Sequence, residues 1–393
     1  MHLLRRPEAL LVGLTLLLKA GVLVLGVIGA TVFGGRILND ALDVLGAWNR
    51  WDAPHYLDLV VFGYRATDPG DLVGPNGYRS VYPGDLPLYI VFYPLYPWLT
   101  TAVNAVLNQP LVSAIVVSGV ASLFVGPLLY RLVRHEEEPD VALRAAWFCL
   151  IFPTAFVLHI GYTESLFLSL VLGSFLAARR DRWLLAGLLG ALAASTRVNG
   201  LVLLLALPAE AVTQWLEQPD ESRRFRARWL AAGLVLIGPA AYLGLNQAVY
   251  GDPFHFLFVQ ESHWFKSLAP PWEGIAAAVR WFDPNYYADF SLDTAFMYGG
   301  MELAFTAIGL AAVVYAAFRF RPSWFAWMAG NWLMFVSTGF LVSVPRYSLT
   351  LFPMFVAMAL LARRTAPLLA LSALSLGLFV YFALRFSSGA WAF

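Results

Sequence analysis

Asn49-Arg50-Trp51-Asp52-Ala53-Pro54-His55-Tyr56 places a carboxylate, an arginine and a histidine among aromatic rings, in the first long polar stretch of an otherwise apolar chain. What flanks it decides the fold. Upstream, the apolar run from Leu10 to Phe33 is long enough to span a bilayer, which takes about 20 residues. Downstream, further apolar runs follow almost to the last residue. The chain is 60% hydrophobic and 13% charged, with a mean hydropathy of +0.66. Soluble proteins carry about 25% charged residues, so the composition is that of a polytopic membrane protein. Arg5 and Arg6 ahead of the first run give it a signal-peptide-like start. The run is about 24 residues and no small-residue cleavage site follows, so it is expected to remain as the first helix. A net charge of +1 with scattered basic residues makes no case for a nucleic-acid partner. The single cysteine, Cys149, lies in an apolar run and can form no internal disulfide.

Arginines give the orientation, because short loops rich in Lys and Arg stay cytoplasmic. Six clusters occur, at Arg5-Arg6, Arg131/Arg134, Arg179-Arg180/Arg182, Arg223-Arg224/Arg226/Arg228, Arg319/Arg321 and Arg363-Arg364. Between them lie apolar stretches near 10–33, 110–133, 141–158, 163–178, 183–217, 229–249, 295–318, 323–342, 346–362 and 366–384. Both flanks of 183–217 are basic, so that stretch crosses twice or dips in and returns, turning near Thr196-Arg197-Val198-Asn199-Gly200. The expectation is an all-α polytopic membrane protein forming one integral membrane domain over 1–393. It has about 11 spans, the N-terminus cytoplasmic and the C-terminus outside.

Nearly every unusual polar residue then falls on the extracytoplasmic side. Loop 34–92, the turn around Glu164, the tip at Arg197, the second large loop 250–294 and the turn at Arg346 all open there. A transporter more typically binds near the midplane, between repeated halves with broken helices, and no internal repeat is apparent. Loop 34–92, at about 59 residues, is too long for a connector. Leu42, Leu45 and Trp48 have helical spacing, and Ala53 to Phe62 suits a second short helix started by Asp52. Residues 66–86 are rich in Gly, Pro and Asp and suit a lid, and the aromatic and proline run 89–98 suits the headgroup level.

Taken in order, Arg50-Trp51-Asp52 with His55-Tyr56 and Gly63-Tyr64, Phe92-Tyr93-Pro94-Leu95-Tyr96-Pro97, Ser195-Thr196-Arg197-Val198-Asn199-Gly200, Tyr250-Gly251-Asp252-Pro253 and Pro345-Arg346-Tyr347 resemble the motifs of the GPI mannosyltransferase 2 (PIG-V) family. The resemblance runs from about residue 48 to 355. Each motif is weak alone; the ordered set is specific. The resemblance implies a GT-C membrane glycosyltransferase with an acidic residue early in the first extracytoplasmic loop, the position of Asp52. It implies transfer of a mannosyl group from a polyprenyl-phosphate donor to a lipid or glycolipid hydroxyl. The short loops point to a prokaryotic plasma-membrane member, for which a GPI acceptor is not expected.

Inverting glycosyl transfer needs a base for the acceptor hydroxyl and cations for the leaving phosphate. Asp52 suits the base, although its position also suits an N-cap for the helix from Ala53 and an ion pair with Arg50. His55 lies one turn on, within reach of the acceptor or Asp52, yet an interfacial histidine is often structural. Arg346, at a helix start, and Arg197, at the hairpin tip, are the natural phosphate ligands. Arg346 also suits snorkelling, and Arg197 needs an anionic partner, either Glu164 or Asp52. Lys266 and His263 sit on an amphipathic stretch that suits either phosphate binding or anchorage on the membrane. Glu164 suits a helix start by its charge, and a role in orienting the acceptor or Arg197 is the alternative. Asp252 reads first as turn chemistry and second as a contact to sugar hydroxyls. Asn199 and Tyr347 join the substrate-binding set through their motifs. No acidic or histidine spacing indicates a metal, no DxD pair is present, and no cofactor is called for. A nucleotide sugar is therefore not the expected donor. A flippase of lipid-linked sugars and a surface-glycan polymerase or ligase are the competing classes; the long early loop favours the transferase.

Overall fold

The computed structural model describes residues 7–68, 70, 73–288 and 290–393. The Arg5-Arg6 cluster and part of the expected lid, at 69, 71 and 72, lie outside the described residues. The expected all-α class holds. The first run forms α1 (Pro7–Ile28), continued by a π-helical turn to Phe33. Loop 34–92 carries α2 (Ala41–Gly46) and α3 (Asp52–Phe62), the two short helices that the spacing predicts, with α2 ending earlier than expected. Next come α4 (Leu95–Leu107), α5 (Pro110–Val133) and α6 (Pro139–Leu150). Helix α4 was not among the apolar stretches: Pro94, Pro97 and three aromatic rings disguise its start as a headgroup-level loop.

Helices α7 (Glu164–Arg179), α8 (Trp183–Thr196) and α9 (Leu203–Leu216) follow. The break in 183–217 falls where it was expected. Helix α8 stops at Thr196, Arg197 is extended at φ −153° and ψ 146°, and one 3-10 turn leads into α9. Gly187 makes the packing beside it possible, since a Cβ there would lie 2.0 Å from the Ala231 carbonyl oxygen. A 3-10 segment from Ala227 runs into α10 (Ile237–Tyr250). Loop 250–294 holds α11 (His255–Ser262), α12 (Pro271–Arg280) and the single turn α13 (Leu292–Thr294). A π stretch joins α13 to α14 (Glu302–Arg319), and α15 (Pro322–Val336), α16 (Val344–Ser348), α17 (Phe352–Leu361) and α18 (Thr365–Ser388) complete the bundle.

Among the described residues, six helices are long and apolar enough to cross a membrane: Pro7–Phe33, Pro110–Val133, Val198–Leu216, Ala227–Tyr250, Leu292–Arg319 and Thr365–Ser388. The remaining apolar stretches are shorter helices, α8 and α17 among them, so length alone does not reach the expected eleven spans.

The basic clusters do gather at one end. Arg179 binds Glu136 and Glu210, Arg321 binds Glu210 at 3.1 Å and Glu217 at 2.8 Å, and Asp181 takes Arg226 and Arg228. Arg144 donates to the Arg363 carbonyl at 3.1 Å, and Arg131 meets Glu8 at 3.1 Å. These contacts join clusters far apart in sequence. At the other end, loops 34–92 and 250–294 meet, with the Tyr250 hydroxyl lying between the carbonyls of Arg65 and Pro87 and within hydrogen-bond reach of either.

Candidate active site

Asp52 is the first residue of α3, and its carboxylate does not cap that helix. Instead Oδ2 accepts from Arg346 Nη1 at 2.8 Å. The expected ion pair with Arg50 is replaced by this one. Tyr162 fixes the backbone here: the Asp52 N–H donates to its hydroxyl at 3.2 Å, and that hydroxyl donates to the Arg50 carbonyl at 3.0 Å. Trp51, just before, has φ 54°, a left-handed conformation that a bulky residue adopts only where its surroundings impose it. Burial pushes the Asp52 carboxyl up, but Arg346, with smaller help from His55 and Arg197, holds it below its ordinary value. It is ionised at neutral pH.

Arg346 is almost fully buried and lies on the short helix α16. Its Nε is 3.5 Å from Glu164 Oε1, and the same oxygen accepts from Arg197 at 2.6 Å. Arg197 also donates to the Thr163 hydroxyl at 2.8 Å. Of the two partners expected for Arg197, Glu164 is the one it binds. Glu164, at the start of α7, spends its charge on these two arginines. The guanidinium carbons of Arg197 and Arg346 and the ammonium of Lys266 each lie 5.4 Å from the centre of the Tyr347 ring. Burial would raise the Tyr347 hydroxyl, but Lys266, Arg346 and Arg197 overcome it and bring it below its ordinary value. Three cations (Arg197, Lys266, Arg346) converge here, and Asp52 and Glu164 are their carboxylate neighbours on the α3 and α7 side.

Glu302 supports the arginine from behind. This fully buried carboxylate accepts from the backbone N–H of Ser343 at 2.7 Å and of Val344 at 2.8 Å. It thus closes the N-terminal end of α16, where amide donors would otherwise be orphaned. Ser343 has φ 63°, so both partners of the Asp52–Arg346 pair follow shortly after a non-glycine residue in the left-handed region. Glu302 was missed in the sequence, although an acidic residue inside the apolar stretch 295–318 is itself a pointer to function.

The Asp52–Arg346 pair borders a cavity of about 450 Å³ at the end of the bundle away from the basic clusters. Asp52, His55, Arg197, Lys266, Arg346 and Tyr347 all line it. Aromatic rings supply much of the remaining wall, including Trp51, Tyr82, Phe92 and Trp264 and, from the far C-terminal region, Trp391. Trp391 meets Trp51 edge-on at 4.9 Å. His55 sits in a box of rings, 4.5 Å from Tyr89, 5.2 Å from Tyr82, 5.3 Å from Phe92 and 5.6 Å from Trp264. Burial there pushes its pKa down to about 4, against the pull of Asp52 and Asp85. It is a neutral imidazole at physiological pH.

Five of the expected site residues do not line the cavity, Glu164 among them, which lies behind it against Arg197 and Arg346. Asn199 donates to Asn331 at 3.0 Å inside the protein, and Asp252 accepts from the Phe254 N–H at 2.9 Å in an exposed turn. His263 is exposed and packs its ring 5.4 Å from that of Trp264. The Arg50 guanidinium lies near Gly389. Among the described residues no group of three or more His, Cys, Asp or Glu is placed to hold a metal ion.

Comparison with known proteins bears on this cavity. Residues 87–240 match the family model described as dolichyl-phosphate-mannose-protein mannosyltransferase. The match covers less than half of the chain. It contains Glu164 and Arg197, while Asp52 and Arg346 lie on either side of it. A curated relative, GPI alpha-1,6-mannosyltransferase 2 of Mus musculus, is 34% identical over 165 residues, which is 40% of this chain and 30% of the mouse protein. This is the family whose motifs the sequence resembles. Among solved structures, ArnT from Cupriavidus metallidurans bound to undecaprenyl phosphate is similar with a TM-score of 0.49 and 16% identity, over 94% of this chain and 64% of that one. The Archaeoglobus fulgidus oligosaccharyltransferase tethered with an acceptor peptide gives 0.45 and 15%, over 95% of this chain and 55% of that one. The chain spans less than two thirds of the length of each of these proteins.

Proposed function

We propose that the protein is a glycosyltransferase of the extracytoplasmic membrane face that moves a mannosyl group from a polyprenyl-phosphate donor to a lipid or glycolipid hydroxyl, with inversion. The observation that carries this reading is the contact of Asp52 with Arg346 in a cavity that also holds Arg197 and Lys266. A base and a phosphate cradle are adjacent there. The mannosyltransferase match over 87–240 supports the sugar, and the family resemblance of the motifs supports the lipid phosphate.

In this reaction the acceptor oxygen attacks the anomeric carbon from the face opposite the phosphate. Its proton passes to an Asp52 carboxylate oxygen. The bond between the anomeric carbon and the phosphate oxygen breaks, and its electron pair stays with the lipid phosphate. Arg346, Arg197 and Lys266 stabilise the charge that develops on the leaving group. Asp52 and the donor phosphate compete for Arg346. When the phosphate draws the guanidinium away, the carboxylate loses the charge that holds its pKa down and becomes a better base. The base is thereby strengthened by the arrival of donor. A positioned general base contributes about 10² to 10⁴ in rate. Reconstituted protein supplied with polyprenyl-phosphate mannose and a lipid acceptor extract is expected to transfer mannose, and Asp52→Asn to lose at least about 100-fold of that rate. Transfer by Asp52→Asn at the wild-type rate would refute the assignment.

A further inference from the structure

At the other end of the bundle, two cavities share Glu8 and Arg131. One, of about 520 Å³, is lined by Glu8, Tyr130, Arg131, Arg134, His135 and Arg180. The other, of about 980 Å³, is a groove between α1 and α5 with an almost wholly apolar wall that includes Leu10, Leu14, Leu17, Phe124 and Leu128. Gly13 borders open space on this wall, since a Cβ there would meet nothing within 4 Å. Leu17 and Phe124 are exposed on its wall.

The charges and the length define an occupant. Three arginines against one carboxylate leave the upper cavity at +2 (3 − 1) with His135 neutral, which favours an anion carrying several acceptor oxygens. The α1 wall runs from Glu8 to Leu17, about 14 Å at a helical rise of about 1.5 Å per residue. That is close to the half-thickness of a bilayer core, about 15 Å, and so to the depth an acyl chain reaches. A polyprenyl chain would extend well beyond it. The Glu8–Arg131 pair, at 3.1 Å and partly exposed, marks the junction of head and tail. We infer that this is a binding site for an anionic glycerophospholipid, with its phosphate among Arg131, Arg134 and Arg180 and an acyl chain along α1 and α5. It lies apart from the cavity at Asp52. The bound lipid ties the first span to α5 at the end where the basic clusters meet anionic headgroups.

Thermal unfolding in nanodiscs tests this, comparing phosphatidylcholine alone with phosphatidylcholine plus phosphatidylglycerol. The wild type is expected to unfold several degrees higher with phosphatidylglycerol. The double variant Arg134→Gln/Arg180→Gln is expected to lose that rise while keeping the wild-type Tm in phosphatidylcholine. Native mass spectrometry should show phosphatidylglycerol retained by the wild type and lost by the double variant. Inorganic phosphate in detergent should give a much smaller rise, because it leaves the groove empty. An equal rise in wild type and variant would reduce the site to an annular lipid and overturn the inference. So would an equal rise from phosphate alone, or displacement of phosphatidylglycerol by equimolar polyprenyl phosphate.

Discussion

Arg346 Nη1 donates to Asp52 Oδ2 at 2.8 Å, while the Arg346 Nε lies 3.5 Å from Glu164, so one guanidinium spans two carboxylates. A donor phosphate entering the cavity must share this arginine. Charge-assisted hydrogen bonds are worth about 1.5–3 kcal/mol, roughly 10- to 150-fold in binding. Arg346→Ala is therefore expected to raise the KM for polyprenyl-phosphate mannose by about tenfold or more and to leave the acceptor KM nearly unchanged. Steady-state kinetics with each substrate varied in turn decides it. Equal effects on both substrates would remove Arg346 from the phosphate site.

In the proposed reaction Glu302 is a positioning residue, acting on the donor through α16. In Glu302→Gln an amide nitrogen replaces one acceptor and faces a backbone N–H. Leaving such a buried donor unsatisfied costs about 1–3 kcal/mol, readable as a lower Tm in detergent. The donor KM should rise with it, because Arg346 loses its rigid support. A lower Tm with unchanged donor KM would make Glu302 purely structural.

The pH dependence has two parts. Asp52 has its folded pKa depressed, so it stays a competent base down through the ordinary carboxylate range, near pH 3.9. The acidic limb of kcat/KM is expected below that value and should move upward in Arg346→Gln. The stability from the Asp52–Arg346 pair is present above the unfolded pKa and is lost as pH falls through the folded one.

His55 gives a separate window in stability. Its folded pKa is lowered to about 4 from an ordinary value near 6.5. Between those values the unfolded chain binds a proton that the folded imidazole does not, so stability falls as pH drops from 6.5 towards 4. Thermal unfolding should track this in the wild type. His55→Phe, which suits the same box of rings, should flatten it.

Orientation is open to labelling once Cys149 is replaced by serine. Asp252 and Asp220 are both exposed, the first in the loop near the Asp52 cavity and the second beside the basic clusters. Asp252→Cys is expected to react with an impermeant maleimide from outside intact cells, and Asp220→Cys only after lysis. The reverse pattern would place the Asp52 cavity in the cytoplasm.

The parts of this architecture written in local pattern were legible in the sequence. Hydrophobic runs marked most of the helices, and the arginines on both flanks of 183–217 located the break at Arg197. Asp52, Arg197, Lys266 and Arg346 stood out as charges between apolar runs, and they do line one cavity. Their pairing was not legible, because it depends on α16 docking against the start of α3. Local rules gave Asp52 and Glu164 capping roles, and neither helix is capped by a side chain. Helix α4 was hidden by its prolines. Asn199 matched a motif, yet its amide is spent on Asn331.

The order of synthesis adds a consequence. Asp52 leaves the ribosome long before its counter-charge on α16 and the ring of Trp391. Until α16 inserts, the carboxylate of the first loop has neither its arginine nor the wall behind it. The nascent chain therefore holds no competent site. Competence for the proposed reaction comes only when α16 and Trp391 have joined the bundle, so the order of insertion itself keeps the first loop silent until then.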